Sequence, residues 1–249
     1  MKVIACYSMK GGVGKTATSV NVAYMAAQSG MRTLLIDMDP QGASSFYFRI
    51  KPAKKELGER FFSASKVLFK QIKASDFENL EVIPAQLSFR NFDSFLSNLK
   101  KRRTRLNKVF KGFGREYDLV VLDCPPTISH LSEAVFTAAD IIFVPVIPTT
   151  LSERTYEQLL EFFKANDYPR KHLVPFFSMV ESQKALHNST MESMRRRYKR
   201  FLQATIPFSI DVEKMGEHRA PLDTFASHRP ANKAFQALWQ EMRRLIEAA

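Results

Sequence analysis

The sequence predicts an α/β fold, with a mostly parallel, twisted sheet and helices on both of its faces. Short runs rich in Val, Ile and Leu alternate along the 249 residues with helical stretches, the pattern of repeated strand–helix–strand units. These runs are apolar throughout, as expected for strands buried on both faces. We find no linker-like segment and expect a single domain over residues 1–249. The predicted strands are 3–7, 33–37, 80–84, 119–123, 141–146, 173–177 and 204–208.

The helices are predicted from start and stop signals. The first begins near Thr16 and ends at Gln28, because Gly30 supplies a stop. Residues 50–79 are basic and the least regular part of the chain, and we expect them to be helical. Ser189 and Glu192 match a capping box, which predicts the start of a later helix. The last helix carries apolar residues at core spacing, namely Phe235, Leu238, Trp239, Met242, Leu245 and Ile246.

A glycine-rich loop, Met-Lys-Gly-Gly-Val-Gly-Lys-Thr at residues 9–16, joins the first strand to the first helix. Its glycines leave backbone N–H groups open to an oxyanion, and the positive end of the helix dipole points at the same place. In this pattern Lys15 reaches the β- and γ-phosphates and the Thr16 hydroxyl ligates Mg²⁺. The loop therefore predicts a nucleotide site.

The loop departs from the general pattern at its start. Met9 stands where that pattern has a glycine, and Lys10 is a second lysine inside the loop. Since Lys15 already serves the phosphates of its own chain, Lys10 is either a solvated surface lysine or a lysine that reaches the nucleotide of a second subunit.

Carboxylates follow two of the predicted strands. Asp37 and Asp39 end the second strand and are expected on one face of it, and Asp123 ends the fourth. The carboxyl ends of parallel strands form the ligand-binding edge of such sheets. One carboxylate suits the water shell of Mg²⁺, and a second can orient the attacking water.

Together these segments resemble a known family. Residues 10–16, 37–42 and 123–126 look like the deviant Walker A loop, the second acidic motif and the Walker B motif of ParA-type P-loop ATPases. Residues 206–221 match more loosely the late segment that passes near the base. The resemblance runs over nearly the whole chain.

The resemblance implies roles for individual residues. Lys10 is the signature lysine, contacting phosphates across a homodimer that holds two ATP molecules at its interface, and Asp39 activates or positions water. The expected catalytic residues are thus Lys10, Lys15 and Asp39, and the expected Mg²⁺ residues are Thr16, Asp37 and Asp123. The expected nucleotide-binding residues are Lys10, Gly11, Gly12, Val13, Gly14, Lys15, Thr16, Ala17 and Pro207.

Family members also bind nonspecific DNA as ATP dimers and release it after partner-stimulated hydrolysis, which positions a cargo. The net charge of +12 suits a nucleic-acid partner. Two basic clusters are candidates, residues 195–200 and residues 100–111, each expected on a helix; either is also explained as a solvated helix face. In the first, an apolar stripe of Met191, Met194, Tyr198, Phe201 and Leu202 leaves the basic residues on the other faces. The expected DNA-binding residues are Arg195, Arg196, Arg197, Lys199 and Arg200.

Other classes share this loop. A MinD-like membrane-cycling ATPase needs a C-terminal helix that enters lipid, whereas the apolar stripe of the last helix favours packing on the sheet. Cys6 and Cys124 offer neither a disulfide framework nor an iron–sulfur ligand set. A metabolic synthetase needs a second-substrate pocket that the sequence does not reveal. Without a signal peptide or an 18-residue apolar stretch, we expect a cytoplasmic, nucleoid-associated protein.

Overall fold

A computed structural model describes residues 1–52 and 56–249. Within those ranges the strands are β1 (Lys2–Cys6), β2 (Thr33–Asp37), β3 (Lys73–Ala74), β4 (Leu80–Ile83), β5 (Leu119–Asp123), β6 (Ile141–Val146), β7 (Leu173–Val180) and β8 (Thr205–Pro207). They form one eight-stranded sheet in the order β3-β4-β2-β5-β1-β6-β7-β8. Only the β3–β4 pair is antiparallel in this part of the chain. The predicted fold class is confirmed.

Helices connect these strands. They are α1 (Lys15–Gln28), α2 (Ala43–Tyr47), α3 (Ser65–Phe69), α4 (Phe92–Ser97), α5 (Arg105–Phe110), α6 (His130–Ala138), α7 (Thr150–Ala165), α8 (Ala185–Arg197), α9 (Ile210–Glu213), α10 (Met215–His218), α11 (Asp223–Ala226) and α12 (Pro230–Ala248). Single 3₁₀ turns cover Gly58–Phe62, Leu87–Asn91, Arg102–Thr104, Lys111–Phe113 and Arg170–His172.

The core lies on both faces of the sheet, as its apolar strands require. All residues of β2, β5 and β6 are buried. One face packs against a phenylalanine-rich layer that includes Phe61, Phe92 and Phe136. The other packs against α1 and α12. The apolar stripe of α12 packs there, as predicted, with all of its residues buried except Leu245, which is partly buried, so the stripe is not available to a bilayer. No helix within the described residues is long and apolar enough to cross a membrane.

The neighbours β2, β5 and β1 end together at one edge of the sheet. Asp37 pairs in register with Asp123, and Asp123 with Cys6. Because the three strands are parallel, the loops that follow them meet at this carboxyl edge. The edge therefore brings together the glycine-rich loop and both acidic motifs.

The structure corrects three local expectations. The 50–79 region is not all helical, since it contains the short strand β3; residues 53–55 lie outside the described residues. The 100–111 cluster lies on short turns and α5 rather than on one helix. The capping box at Ser189 is also wrong, because α8 begins at Ala185 and the Ser189 hydroxyl donates to the carbonyl of Leu186.

Helix α8 ends at Arg197, earlier than the apolar stripe predicts. Phe201 and Leu202 are buried, but from an irregular segment, with the Leu202 N–H donating to the carbonyl of Pro175 on β7. In the sequence, these two buried residues continue the apolar spacing of the helix, so they could not be told apart from a further turn of it. As a result Lys199 and Arg200 do not belong to the helix.

Candidate nucleotide site

The glycine-rich loop takes a conformation that its sequence permits. Gly14 precedes α1 with a φ of 88° and Gly12 has a φ of 68°, in the left-handed region that other residues rarely adopt. A Cβ on Gly14 would lie 3.0 Å from the Ser178 Oγ. The loop is anchored by the buried side chain of Val13, while Gly11 and Gly12 are exposed. The loop is thus open on the side where α1 begins.

Lys15 is held within the loop. Its side chain is buried, and its Nζ donates to the carbonyl of Lys10 at 3.1 Å. The ammonium group therefore lies against the loop backbone, close to where a bound phosphate would meet the N–H groups. Thr16 and Ala17, in the first turn of α1, are half-buried.

The carboxylates of Asp37 and Asp123 form a buried pair at the ends of β2 and β5. The Ser44 hydroxyl donates to Asp123 Oδ2 at 2.7 Å, and the Ser19 hydroxyl to Oδ1 at 3.1 Å. Asp37 Oδ2 accepts from the Ser45 N–H at 2.8 Å and from its hydroxyl at 2.6 Å. Helix α2, which directly follows the second acidic motif, thereby holds both carboxylates.

The electrostatic environment of the two carboxylates favours binding of a cation between them. Burial and the neighbouring Asp123 raise the pKa of Asp37 to about 7, and burial also raises the pKa of Asp123, against hydrogen bonds from Ser44 and Thr16. Asp37 Oδ1 is buried and has no hydrogen-bond partner among the described residues. Two close carboxylates and an orphaned oxygen fit Mg²⁺, which uses one or two carboxylates together with phosphates and water. Residues 1–52 and 56–249 contain no group of three or more potential His, Cys, Asp or Glu ligands, so phosphates and water would complete the shell.

Asp39 lies apart from this pair. Strand β2 ends at Asp37, so Asp39 belongs to the following loop and strand alternation does not orient it. It is half-buried, and its Oδ1 accepts from the Gln41 N–H at 2.9 Å. This position at the mouth of the site suits a group that meets water.

Lys10 turns towards its own subunit. Its Nζ donates to the Ser152 Oγ at 3.4 Å, and its N–H donates to the Ser8 Oγ at 3.2 Å. Ser152 lies in the first turn of α7, where it bonds the capping residue Thr149. Lys10 thus rests at the N-terminus of α7, half-exposed at the carboxyl edge.

A cleft of about 320 Å³ opens beside Gly12 and Gly14. Pro207 lines it together with Ser178 and Met179, and Met179 has a φ of 53° where β7 and β8 pair irregularly. The remaining lining residues are Ala17, Tyr47, Ile206, Phe208, Ser209, Val212, Glu213 and Phe235. Its largely apolar walls next to the phosphate loop suit a nucleotide base.

Residues 1–173 match the AAA_31 family model, an AAA domain. The chain is 29% identical over 231 residues to the sporulation initiation inhibitor protein Soj of Bacillus subtilis (strain 168), covering 89% of this chain and 90% of Soj. It is 24% identical over 252 residues to the chromosome partitioning protein ParA of Myxococcus xanthus (strain DK1622), covering 97% and 87%. The chain belongs to the ParA-type P-loop ATPases. Among solved structures an ATP complex of Cyanothece McdA shares the fold, with a TM-score of 0.82, 19% identity and coverage of 97% and 96%.

The ParA-type chain holds its five candidate DNA-binding residues in different settings. Arg195 is half-buried and donates to the carbonyl of Gln203 at 2.8 Å, so it braces the chain between β7 and β8. Arg197 lies against carboxylates of α7. Arg196 is exposed and pairs with Glu192 on its own helix. The other two are also exposed: Lys199 makes no ion pair within the described residues, and Arg200 donates to the carbonyl of Leu173.

Sequence reasoning missed the polar residues that support the site. Ser19, Ser44 and Ser45 bind the carboxylates, and Ser152 receives Lys10. Ser44 is 79 positions from its partner Asp123, and short-range patterns carry no signal at that distance. Arg49, which follows the second acidic motif, donates to the carbonyl of His218 and pairs with Asp76.

Proposed function

We propose that this protein is an ATP-dependent molecular switch that dimerises on ATP, binds nonspecific DNA and positions a cargo on the nucleoid. The observation that carries the proposal is the placement of Lys10 and the Asp37–Asp123 pair at one edge of the sheet, beside a cleft that suits a base. A nucleotide bound there contacts its own subunit through the loop and presents its phosphates outward. A second subunit then completes the site with its own Lys10.

Within one subunit, separate residues bind the phosphates, hold the metal ion and position water. Lys15 and the loop N–H groups bind the β- and γ-phosphates, and Thr16, Asp37 and Asp123 hold Mg²⁺, directly or through its water. When bound, Mg²⁺ would supply positive charge that offsets the charge of the phosphates. Asp39 orients the attacking water from the mouth of the site. Hydrolysis to ADP and phosphate is slow in the subunit alone and is stimulated by a partner protein.

The surface around this edge supports dimerisation. Large exposed apolar side chains are found mainly in segments that follow the carboxyl ends of the strands, and such exposure favours a protein interface. Leu151 is 70% exposed and Ile210 64% exposed. The residues that share this property and place are Phe46, Leu87, Ile128, Leu151, Leu186, Phe208 and Ile210.

The exposed basic residues support DNA binding. Arg196, Lys199 and Arg200 are exposed, and unlike Arg197 they make no ion pair with the α7 carboxylates in the part of the chain that the structure describes. A dimer brings two such sets together, and each further phosphate contact steepens the salt dependence of binding. ATP therefore controls DNA binding by causing dimerisation, which doubles the number of contacts with DNA phosphates.

The test is binding to random-sequence duplex DNA with ATP–Mg²⁺ and with ADP, over a salt series. We expect tight binding only with ATP, falling steeply with salt. Arg196→Glu combined with Lys199→Glu is expected to abolish it while ATP turnover without DNA is retained. Lys66→Glu combined with Lys70→Glu reverses as many exposed charges at α3 and is the matched control.

Absence of DNA binding in both nucleotide states would refute the proposed switch. Vesicle flotation with ATP then tests a MinD-like membrane cycle, against which the burial of the α12 stripe already argues. A P-loop synthetase would be indicated by ATP turnover that depends on a small second substrate.

A further inference from the structure

Helix α7 joins the nucleotide edge to the basic segment. Ser152 in its first turn receives Lys10 at 3.4 Å. The next residue, Glu153, and Glu157 one turn later face Arg197 at the end of α8. A single rigid element therefore touches both the signature lysine and one of the candidate DNA-binding arginines.

Glu153 and Glu157 enclose the guanidinium of Arg197, and this pair of glutamates is called the clamp below. The Arg197 Nη1 lies 2.5 Å from Glu157 Oε1 and 3.6 Å from Glu153 Oε1, and its guanidinium lies 5.2 Å from the centre of the Tyr198 ring. The Tyr198 hydroxyl donates to the same Glu157 oxygen at 2.9 Å. Arg197 is 60% exposed on its side chain, while the carboxylates are partly buried. The two carboxylates and the guanidinium sum to a charge of −1, so the positive charge of Arg197 is offset within the clamp and is not offered to a DNA phosphate.

We propose that Glu153 and Glu157 hold Arg197 away from DNA in the nucleotide-free subunit, and that the Lys10–Ser152 contact ties this clamp to the nucleotide. The inference rests on the proposed function, whose DNA binding it regulates. When Lys10 moves to a bound triphosphate, α7 loses a contact in its first turn, and the clamp at Glu153 and Glu157 opens. Arg197 then adds a phosphate contact to those of Arg196, Lys199 and Arg200.

The resting place of Lys10 suits such a release. The N-terminus of α7 carries the positive end of its dipole, so the ammonium group is held where a cation is disfavoured. A triphosphate offers a much stronger anionic partner. The Lys10–Ser152 contact, at 3.4 Å, is therefore easily exchanged.

The test uses the full-length protein and a fluorescent random-sequence duplex, without nucleotide and with ATP–Mg²⁺. Glu157→Gln removes one clamp charge. Glu161→Gln is the matched control, because it removes the same charge one turn further along α7, from an exposed residue that makes no ion pair within the described chain. Glu153→Gln is the second clamp variant, which keeps the test open if Glu157→Gln fails to fold.

Without nucleotide, we expect a clamp variant to bind DNA about two- to fivefold more tightly than the control, the range for exchanging one ion pair of this exposure. Its plot of log K against log salt should be steeper by about 0.9, because one phosphate contact is added. With ATP–Mg²⁺ the advantage should vanish, since the clamp is already open.

Two results would overturn the inference. If both clamp variants match Glu161→Gln in affinity and slope, Arg197 is not restrained. If their advantage is the same with and without ATP, the clamp is not tied to the nucleotide. Failure of the wild-type protein to bind DNA in any state refutes the proposed function instead, so the two failures are distinguishable.

Discussion

The conformation of Gly14 leads to a quantitative prediction. Substitution by alanine forces a Cβ into a backbone with a φ of 88°, and the left-handed region costs an L-residue about 1–2 kcal/mol. The new Cβ also lies 3.0 Å from the Ser178 Oγ, so that hydroxyl must rotate. Gly11 is the matched control, because a Cβ there meets no atom within 4 Å and its φ is not positive.

We therefore expect Gly14→Ala to lower the free energy of unfolding of the nucleotide-free protein by about 1–2 kcal/mol. Gly11→Ala should lower it by less than about 0.5 kcal/mol, as for an ordinary surface change. Urea denaturation followed by circular dichroism measures both. The double variant Gly14→Ala with Ser178→Ala removes the steric contact but keeps the backbone strain. Its free energy of unfolding should therefore remain as low as that of Gly14→Ala alone.

Equal stability of Gly14→Ala and Gly11→Ala would refute this reasoning. It would mean that the loop does not hold Gly14 in the left-handed region in solution. Full recovery in the double variant would instead assign the cost to the Ser178 contact and contradict the dominant role given to the backbone.

Three further predictions concern the acidic motifs and their support. Asp39→Ala should retain nucleotide binding but hydrolyse ATP at least about 100-fold more slowly, as expected for the loss of a water-positioning group. Binding of a fluorescent ATP analogue measures the first, and phosphate release measures the second. An unaltered rate of hydrolysis would contradict the water-positioning role of Asp39. Because the pKa of Asp37 is raised to about 7 in the magnesium-free fold, its contribution to stability is present at low pH and lost as pH rises through 7. Asp37→Asn should thus unfold at higher urea than wild type at pH 8 in EDTA, with the gap narrowing at pH 5.5; a gap that does not depend on pH would exclude this cause. Arg219 donates to the carbonyl of Phe46 on α2 at 3.2 Å and lies 4.5 Å above its ring. Arg219→Asn, which keeps the left-handed backbone, should therefore speed hydrogen exchange of α2. The control Arg229→Asn, which removes an exposed arginine paired with Asp211, should not.

Much of the fold was predictable because its signals are local. The runs that became β2, β5 and β6 are continuous apolar segments, and such segments indicate buried parallel strands wherever they lie. The glycine-rich loop and the acids at strand ends are likewise short motifs. The rule that parallel strands share a carboxyl edge then places Asp37 and Asp123 at the same edge of the sheet without any coordinates. That they are neighbours was decided by the strand order, in which β2 pairs with β5.

Two expectations about α8 were wrong. Ser189 matches a helix start, but it lies inside α8, which begins at Ala185. Residues 191–202 match a helical stripe, yet α8 ends at Arg197, and the pattern is satisfied equally well by burial of Phe201 and Leu202 in an irregular segment next to β7. Tertiary packing overrides local preference at such positions, because the burial of large apolar side chains outweighs the propensity of a few residues.

By itself, the sequence determined the α/β class, the phosphate loop and the residue types at the edge of the sheet, since these depend on chemistry within a few neighbouring positions. Only the tertiary structure decided which groups meet across the chain. It placed Ser44 and Ser45 on the carboxylates, Lys10 on Ser152 and Arg197 between two glutamates. These contacts join distant segments, and their existence depends on how the helices pack on the sheet.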